Sequence, residues 1–185
     1  MLYMVLVGGH HARAKIELHD VLFVDAPAPD VTARDAVATG VDVDAGLLLQ
    51  SAYDSLHQQW FGTGNSLHID GWMAVDGVDG YQVRLCDVAP KAGDLRLFFI
   101  NLGGYQPQVF GEDHRYLLLV APDLATARML AKQRRPEGWG SPHTDAVWDI
   151  DDCLPIDTVD GRYVQLHAHT HQPLLWQNCY LPIGR

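Results

Sequence analysis

Two short steps in this sequence set a histidine and a carboxylate two residues apart, Glu17-x-His19 and His68-x-Asp70. Each has a second version further along, at Glu112-x-His114 and His143-x-Asp145. On an extended chain residues i and i+2 project from one face, so each step presents an imidazole beside a carboxylate. If the two steps of one half converge, two imidazoles and two carboxylates could hold a divalent metal such as zinc, manganese or iron. The same groups could serve as acid and base. The competing reading is structural: such a pair at a strand end satisfies buried backbone groups and fixes a loop. Repetition favours the structural reading, because contacts that determine a fold are kept twice more readily than a catalytic centre.

A third set lies near the end. His167, His169 and His171 alternate, so on a strand they would line one face and could take up a transition metal. A solvated edge that binds metal incidentally is the bland alternative. The apolar residues that follow, Leu174 to Trp176 and Tyr180, make a tail expected to dock on the body of the protein. Docking on a second chain, giving a homo-oligomer, is the other outcome. Nucleophilic catalysis has little support, since no serine sits in a GxSxG context and no cysteine in an activating string.

These residues hang on a repeat. Shifted by 95 positions, LYMVLVGGHHARAKIELHDVLFVDAP falls on LFFINLGGYQPQVFGEDHRYLLLVAP without a gap. Over the 25 positions from Tyr3 to Pro27 there are seven identities, among them Gly8, Gly9, Glu17 and His19. Further on, His68-x-Asp70 is set over His143-x-Asp145, and Asp79-Gly80-Tyr81 over Asp160-Gly161-Arg162. The chain therefore divides into a first unit at 1–86, a polar connector at 87–94, a second unit at 95–166 and a tail at 167–185. The stretch 28–44 has no counterpart and reads as an insertion, part helical.

Within a unit the expected order is strand, loop, strand, helix and a strand pair. Leu2 to Val7, Val21 to Val24 and Tyr116 to Val120 are apolar runs of strand length. Leu49, Tyr53, Leu56 and Trp60 recur at helical spacing and predict a helix over 45–60. That stripe makes Trp60 a core residue more readily than a pocket wall, and Trp72 is read the same way. Asp123 is the expected N-cap of a helix that closes in basic residues. Gly8-Gly9 and Gly103-Gly104 lead into another strand and match no phosphate-loop pattern. They predict positive φ or a close approach that excludes a Cβ.

The totals narrow the partners. A net charge of -10 leaves no basic face for nucleic acid. No run approaches the roughly 18 apolar residues of a membrane span, and no basic segment precedes the opening strand. Three scattered cysteines suit free thiols in a reducing compartment, and the expected location is the cytoplasm.

The strings GG-loop-IELHDVLF, QQWFG and LHIDGW are similar to those of the small bacterial family catalogued as domain of unknown function 1543. The resemblance implies a unit that often occurs in two copies per chain, and it brings no activity with it. The resulting expectation is an α+β protein of two ββαββ-like units, related by internal duplication and packed with approximate two-fold pseudosymmetry. Function is expected to be that of a small cytoplasmic binding or regulatory protein with a polar pocket in or between the units. The pocket residues would be Glu17, His19, His68, Asp70, Glu112, His114, His143 and Asp145. A metal-dependent hydrolase using the same residues is the rival, and a purely structural or oligomer-forming protein the third reading.

Overall fold

The computed structural model describes residues 1–10, 17–104, 113–134 and 148–184. The first half opens with β1 (Leu2–His10) and β2 (Glu17–Asp25), paired antiparallel. Three helices follow, α1 (Val31–Ala38), α2 (Ala45–Leu49) and α3 (Tyr53–Gln59), the last two joined by a 3₁₀ turn. The expected helix over 45–60 is thus real but stepped, and the insertion is part helical. The half ends with β3 (His68–Val75), β4 (Gly77–Val78) and β5 (Tyr81–Cys86). The second half repeats the order with β6 (Arg96–Gly104), β7 (Asp113–Ala121), α4 (Leu124–Gln133), β8 (Trp148–Pro155), β9 (Thr158–Val159) and β10 (Arg162–Ala168). A last strand, β11 (Leu175–Pro182), has no counterpart among the described residues. The class is α+β.

The strands form three sheets, ordered β11-β3-β1-β2, β7-β6-β8 and β4-β5-β10-β9. Pairing recurs at the spacing seen in the sequence: Gly8 faces His19 in the first hairpin, and Gly103 faces His114 in the second. β3 slips register against β1 after Leu6, and β8 slips against β6 after Asn101, again 95 positions on. In the third sheet β5 and β10 pair about Arg84 and Gln165, which stand 81 positions apart. The register of that sheet reads the same from either half.

Alternation along β1 explains why the strand is apolar on both faces. Tyr3, Val5 and Val7 pack against Leu49, Ala52, Leu56 and Trp60 from the helices. Leu2 and Met4 turn the other way and meet Leu97 and Phe99 of the second half. In that half Phe98, Ile100 and Leu102 bury against Ala127 and Ala131 of α4. Asp123 caps α4 as expected, accepting from the Thr126 amide at 2.7 Å. Trp60 and Trp72 are both core. Gly9 is set by contact and not by φ: a Cβ there would lie 2.7 Å from Trp60 Cζ2.

The insertion and the tail, the two departures from the repeat, pack on each other. The Gln177 side chain on β11 accepts from the Val43 amide at 2.9 Å and donates to the Val43 carbonyl at 3.2 Å. β11 itself adds a fourth strand outside β3, so the tail docks on the body.

Candidate functional site

Two grooves open where the second strand of one half crosses the sheet of the other. One, of about 280 Å³, has Met4 and Leu6 of β1 and Met73 of β3 as its floor. His114, Arg115 and Tyr116 of β7 form its far wall, and Trp176 and Asn178 of β11 its near rim. Trp176 is 57% exposed, a large aromatic kept open to solvent on an edge strand. The other, of about 810 Å³, stands at the related positions: Asp20, Val21 and Phe23 of β2 face Phe99, Asp152 and Leu154. Between the two runs an aromatic wall, Phe23 edge-on to Phe99 at 5.6 Å and Phe99 stacked on Tyr116 at 5.7 Å. Burial, aided by the Asp20 carboxylate, pushes the Tyr116 hydroxyl above its ordinary range, so it stays protonated at neutral pH.

Of the predicted polar residues, His114 lines the first groove, and the strand row of His19 and His68 lies beyond its end. Leu6 faces Val21 and Gly71, and two residues on, Gly8 faces His19 on one side and His68 on the other. His19, Gly8 and His68 thus form one cross-strand row, about 7 Å along the sheet from Leu6. The outer two are about 10 Å apart at Cα, two strand spacings. His68 is 5% exposed, with its ring 4.8 Å from that of Tyr180 and Nε2 3.4 Å from Asp70 Oδ1. Asp70 is the residue at which β3 slips against both β1 and β11, a bulge of the kind that re-aims a side chain. Glu17 lies one row further out, opposite His10. His114 borders the groove itself and lies 3.2 Å through Nδ1 from Asn101 Oδ1.

Glu112, His143 and Asp145 lie outside the described residues. The pairing of His68-x-Asp70 with His143-x-Asp145 is nonetheless corrected by strand register. Gly103, which corresponds to Gly8, pairs with Asp149, and the slip in β8 falls at Asp151. The row positions of His68 and Asp70 are therefore held by Asp149 and Asp151. The terminal histidines also part company with expectation, because β10 ends at Ala168. His167 lies on the strand, whereas His169 and His171 follow it, and the His171 ring packs over Gly77. They do not line one strand face. Among the described residues no three His, Cys, Asp or Glu side chains gather to hold a metal ion.

Cys179 lies opposite the bulge, its thiol 3.7 Å from the Ile69 carbonyl. Burial, then the carboxylates of Asp70 and Asp42, push that thiol up, which disfavours a thiolate nucleophile. Sequence reasoning missed the groove floor altogether. Its only local signal is the even-numbered apolar set of β1, which looks like ordinary core until β7 is seen to stand off from it.

Residues 45–85, from α2 through β5, match the family described as Domain of Unknown Function (DUF1543). The match is to one segment, in the first half of the chain. No curated protein matches the sequence. Among solved structures the chain resembles the crystal structure of a protein Il1583 from Idiomarina loihiensis, with 31% identity and a TM-score of 0.68. The likeness covers 100% of this chain and 98% of that one. The chain belongs to the family of Il1583. No helix of the described residues is long and apolar enough to cross a membrane.

Proposed function

We propose that the protein is a small cytoplasmic binding protein that takes up an apolar or aromatic ligand in the groove between Met4, Leu6, Met73 and Tyr116. One observation carries this reading: Trp176 stays 57% exposed at the rim of an apolar hollow of about 280 Å³. That is close to the lower end of ligand pockets, about 300 Å³, and its walls mix aromatic and thioether surface with a few polar groups. His68, with Asp70 beside it, would meet a polar end of the ligand. His114, from the other half, would meet its flank. Glu112, His143 and Asp145 have no assigned part in this groove.

The same reading takes the second half as another copy of the DUF1543 unit, in a protein of bacterial origin. Support comes from the shared hairpin register and the two bulges 95 positions apart along β1 and β6. A divalent metal at the histidine row is the alternative cargo, as the hydrolase reading requires.

The test is a titration with anilinonaphthalene sulfonate, read by dye fluorescence and by its change in a Trp176→Leu variant. The dye is expected to bind the native protein and to bind at least tenfold more weakly to Met73→Arg. Because Met73 is half-buried, the second variant is Asn178→Arg, whose side chain is exposed and cannot unfold the core. Uptake unchanged in both variants overturns the groove. Stoichiometric metal in untagged protein, lost in His68→Ala, moves the assignment to the metal reading.

A further inference from the structure

The two sheets that carry the grooves differ at one edge. In the first half β3 is flanked by β1 on one side and by β11 on the other. In the second half β8 pairs with β6, and among the described residues nothing pairs with its outer side. An open strand edge is a row of unpaired amides and carbonyls, a template for another strand. Leu154, at the place that Met73 holds in the first half, is 54% exposed. The edge borders the larger groove, whose lining includes Asp20, Asp152, Asp157 and Asp160 and no lysine, arginine or histidine. Of these, Asp157 is paired with Arg96, while Asp160 accepts from the Asp25 amide and from the Ser55 hydroxyl. Asp20 bonds to its neighbouring amide at Val21, and Asp152 is exposed. Among the described residues neither has a cation on it.

We propose that the outer edge of β8 binds an extended basic segment of a partner protein, added as a fourth strand where β11 lies in the other sheet. The occupant follows from charge and from register. β11 sets Asn178 beside Gly71 and Trp176 beside Met73. The corresponding neighbours on β8 are Asp152 and Leu154. A bound strand therefore carries a lysine or arginine beside Asp152 and, two residues along the same face, an apolar side chain beside Leu154. Main-chain pairing supplies affinity, and the alternate side chains supply specificity. A second copy of this chain is the poorer occupant. With a net charge of -10 it brings like charge to an acidic edge, and like charges across strands are destabilising.

The experiment uses the full chain and three blocked, fluorescein-labelled peptides. One repeats Lys-Thr-Leu-Thr, one repeats Glu-Thr-Leu-Thr, and one is the lysine peptide with proline in place of alternate threonines. The lysine peptide is expected to bind, to bind more weakly as salt rises, and to slow amide exchange within 148–155. Asp152→Lys, at an exposed position of the groove, is expected to weaken it at least tenfold without changing the melting temperature. The proline and glutamate peptides are expected not to bind. Equal binding of the glutamate or proline peptide overturns the proposal, as does protection that maps away from β8. Self-association of the free protein that is abolished by Leu154→Lys assigns the edge to a second copy and overturns it too.

Discussion

Asp79 and Asp160 perform the same task for opposite halves of the molecule. Asp79 Oδ2 accepts from the Val120 amide of β7 at 2.9 Å, and Asp160 Oδ2 accepts from the Asp25 amide of β2 at 2.7 Å. The amides are 95 positions apart and the aspartates 81, so each half caps the other in equivalent fashion. Both aspartates sit at positive φ, 54° and 50°, where aspartate is tolerated better than most residues. Arg134 after α4 reaches Asp79 at 2.9 Å, and Ser55 of α3 reaches Asp160.

Replacing either aspartate by alanine leaves a strand amide without its acceptor, at a cost of about 1–3 kcal/mol. For a chain of this size that is a fall of roughly 2–4 °C in melting temperature per kcal/mol. Asp79→Asn and Asp160→Asn keep an acceptor and the tolerance of positive φ, so they are expected to lose less than half as much. Thermal unfolding of the four variants checks this. Alanine and asparagine variants of equal stability would show that the caps contribute nothing.

Gly9 and Trp60 make a second, purely steric pair. A methyl at Gly9 meets Trp60 Cζ2 at 2.7 Å and the Ser66 carbonyl at 3.1 Å, so the ring must shift. Gly9→Ala is expected to destabilise by about 1–3 kcal/mol through overpacking. In a Trp60→Leu background the space exists, and the same substitution is expected to cost at least 0.5 kcal/mol less, about the margin by which contacting sites depart from additivity. Urea unfolding of the four-member cycle measures the difference. Strict additivity would sink the assignment of Gly9 to this contact.

Much of this architecture was legible because its signals are local. Apolar runs mark β1, β2 and β7, Asp123 announces α4, and the Gly-Gly pair points to close approach. The spacing of 95 positions also recurs in the register of the two hairpins. The later spacing was misread at His68-x-Asp70. A look-alike step at His143 outweighed Asp79-Gly80, whose spacing of 81 positions matches the register of the later strands. The bulge at Asp70 is a property of two neighbouring strands and leaves no mark in one. The grooves were invisible for the same reason: Met73 and Tyr116 are distant in sequence, and only the crossing of the halves sets one above the other.

Acid should loosen the ion pairs that Asp25 makes. Burial pushes this carboxyl up, yet the Met1 ammonium at 2.8 Å and Arg162 at 2.8 Å outweigh that and hold it below the usual carboxylate range. A carboxyl depressed in the folded state contributes stability that is present above its unfolded value, near pH 4, and is lost as pH falls through the folded value. Melting temperature is therefore expected to hold from neutrality to about pH 5 and to decline below about pH 4. Asp25→Asn should be less stable at pH 7 and show a shallower decline in acid. An acid limb of unchanged slope in the variant would assign the loss to other carboxylates.

The tail and the insertion should also stand or fall together. β11 covers the outer edge of β3, and its Gln177 holds the backbone of Val43 just before α2. His57 on α3 lies 2.7 Å through Nε2 from the Ile183 carbonyl, so the strand is tied to the helix layer from a second side. Ending the chain after Thr170 removes all of these ties and bares the β3 edge, while α4 takes part in none of them. Amide exchange is expected to quicken at least tenfold across α1 and residues 40–44, with α4 unchanged. The exposed edge should make the shortened protein associate on a sizing column. If α1 exchanges at its former rate, the insertion is held by the helices alone, and the coupling of the two departures is wrong.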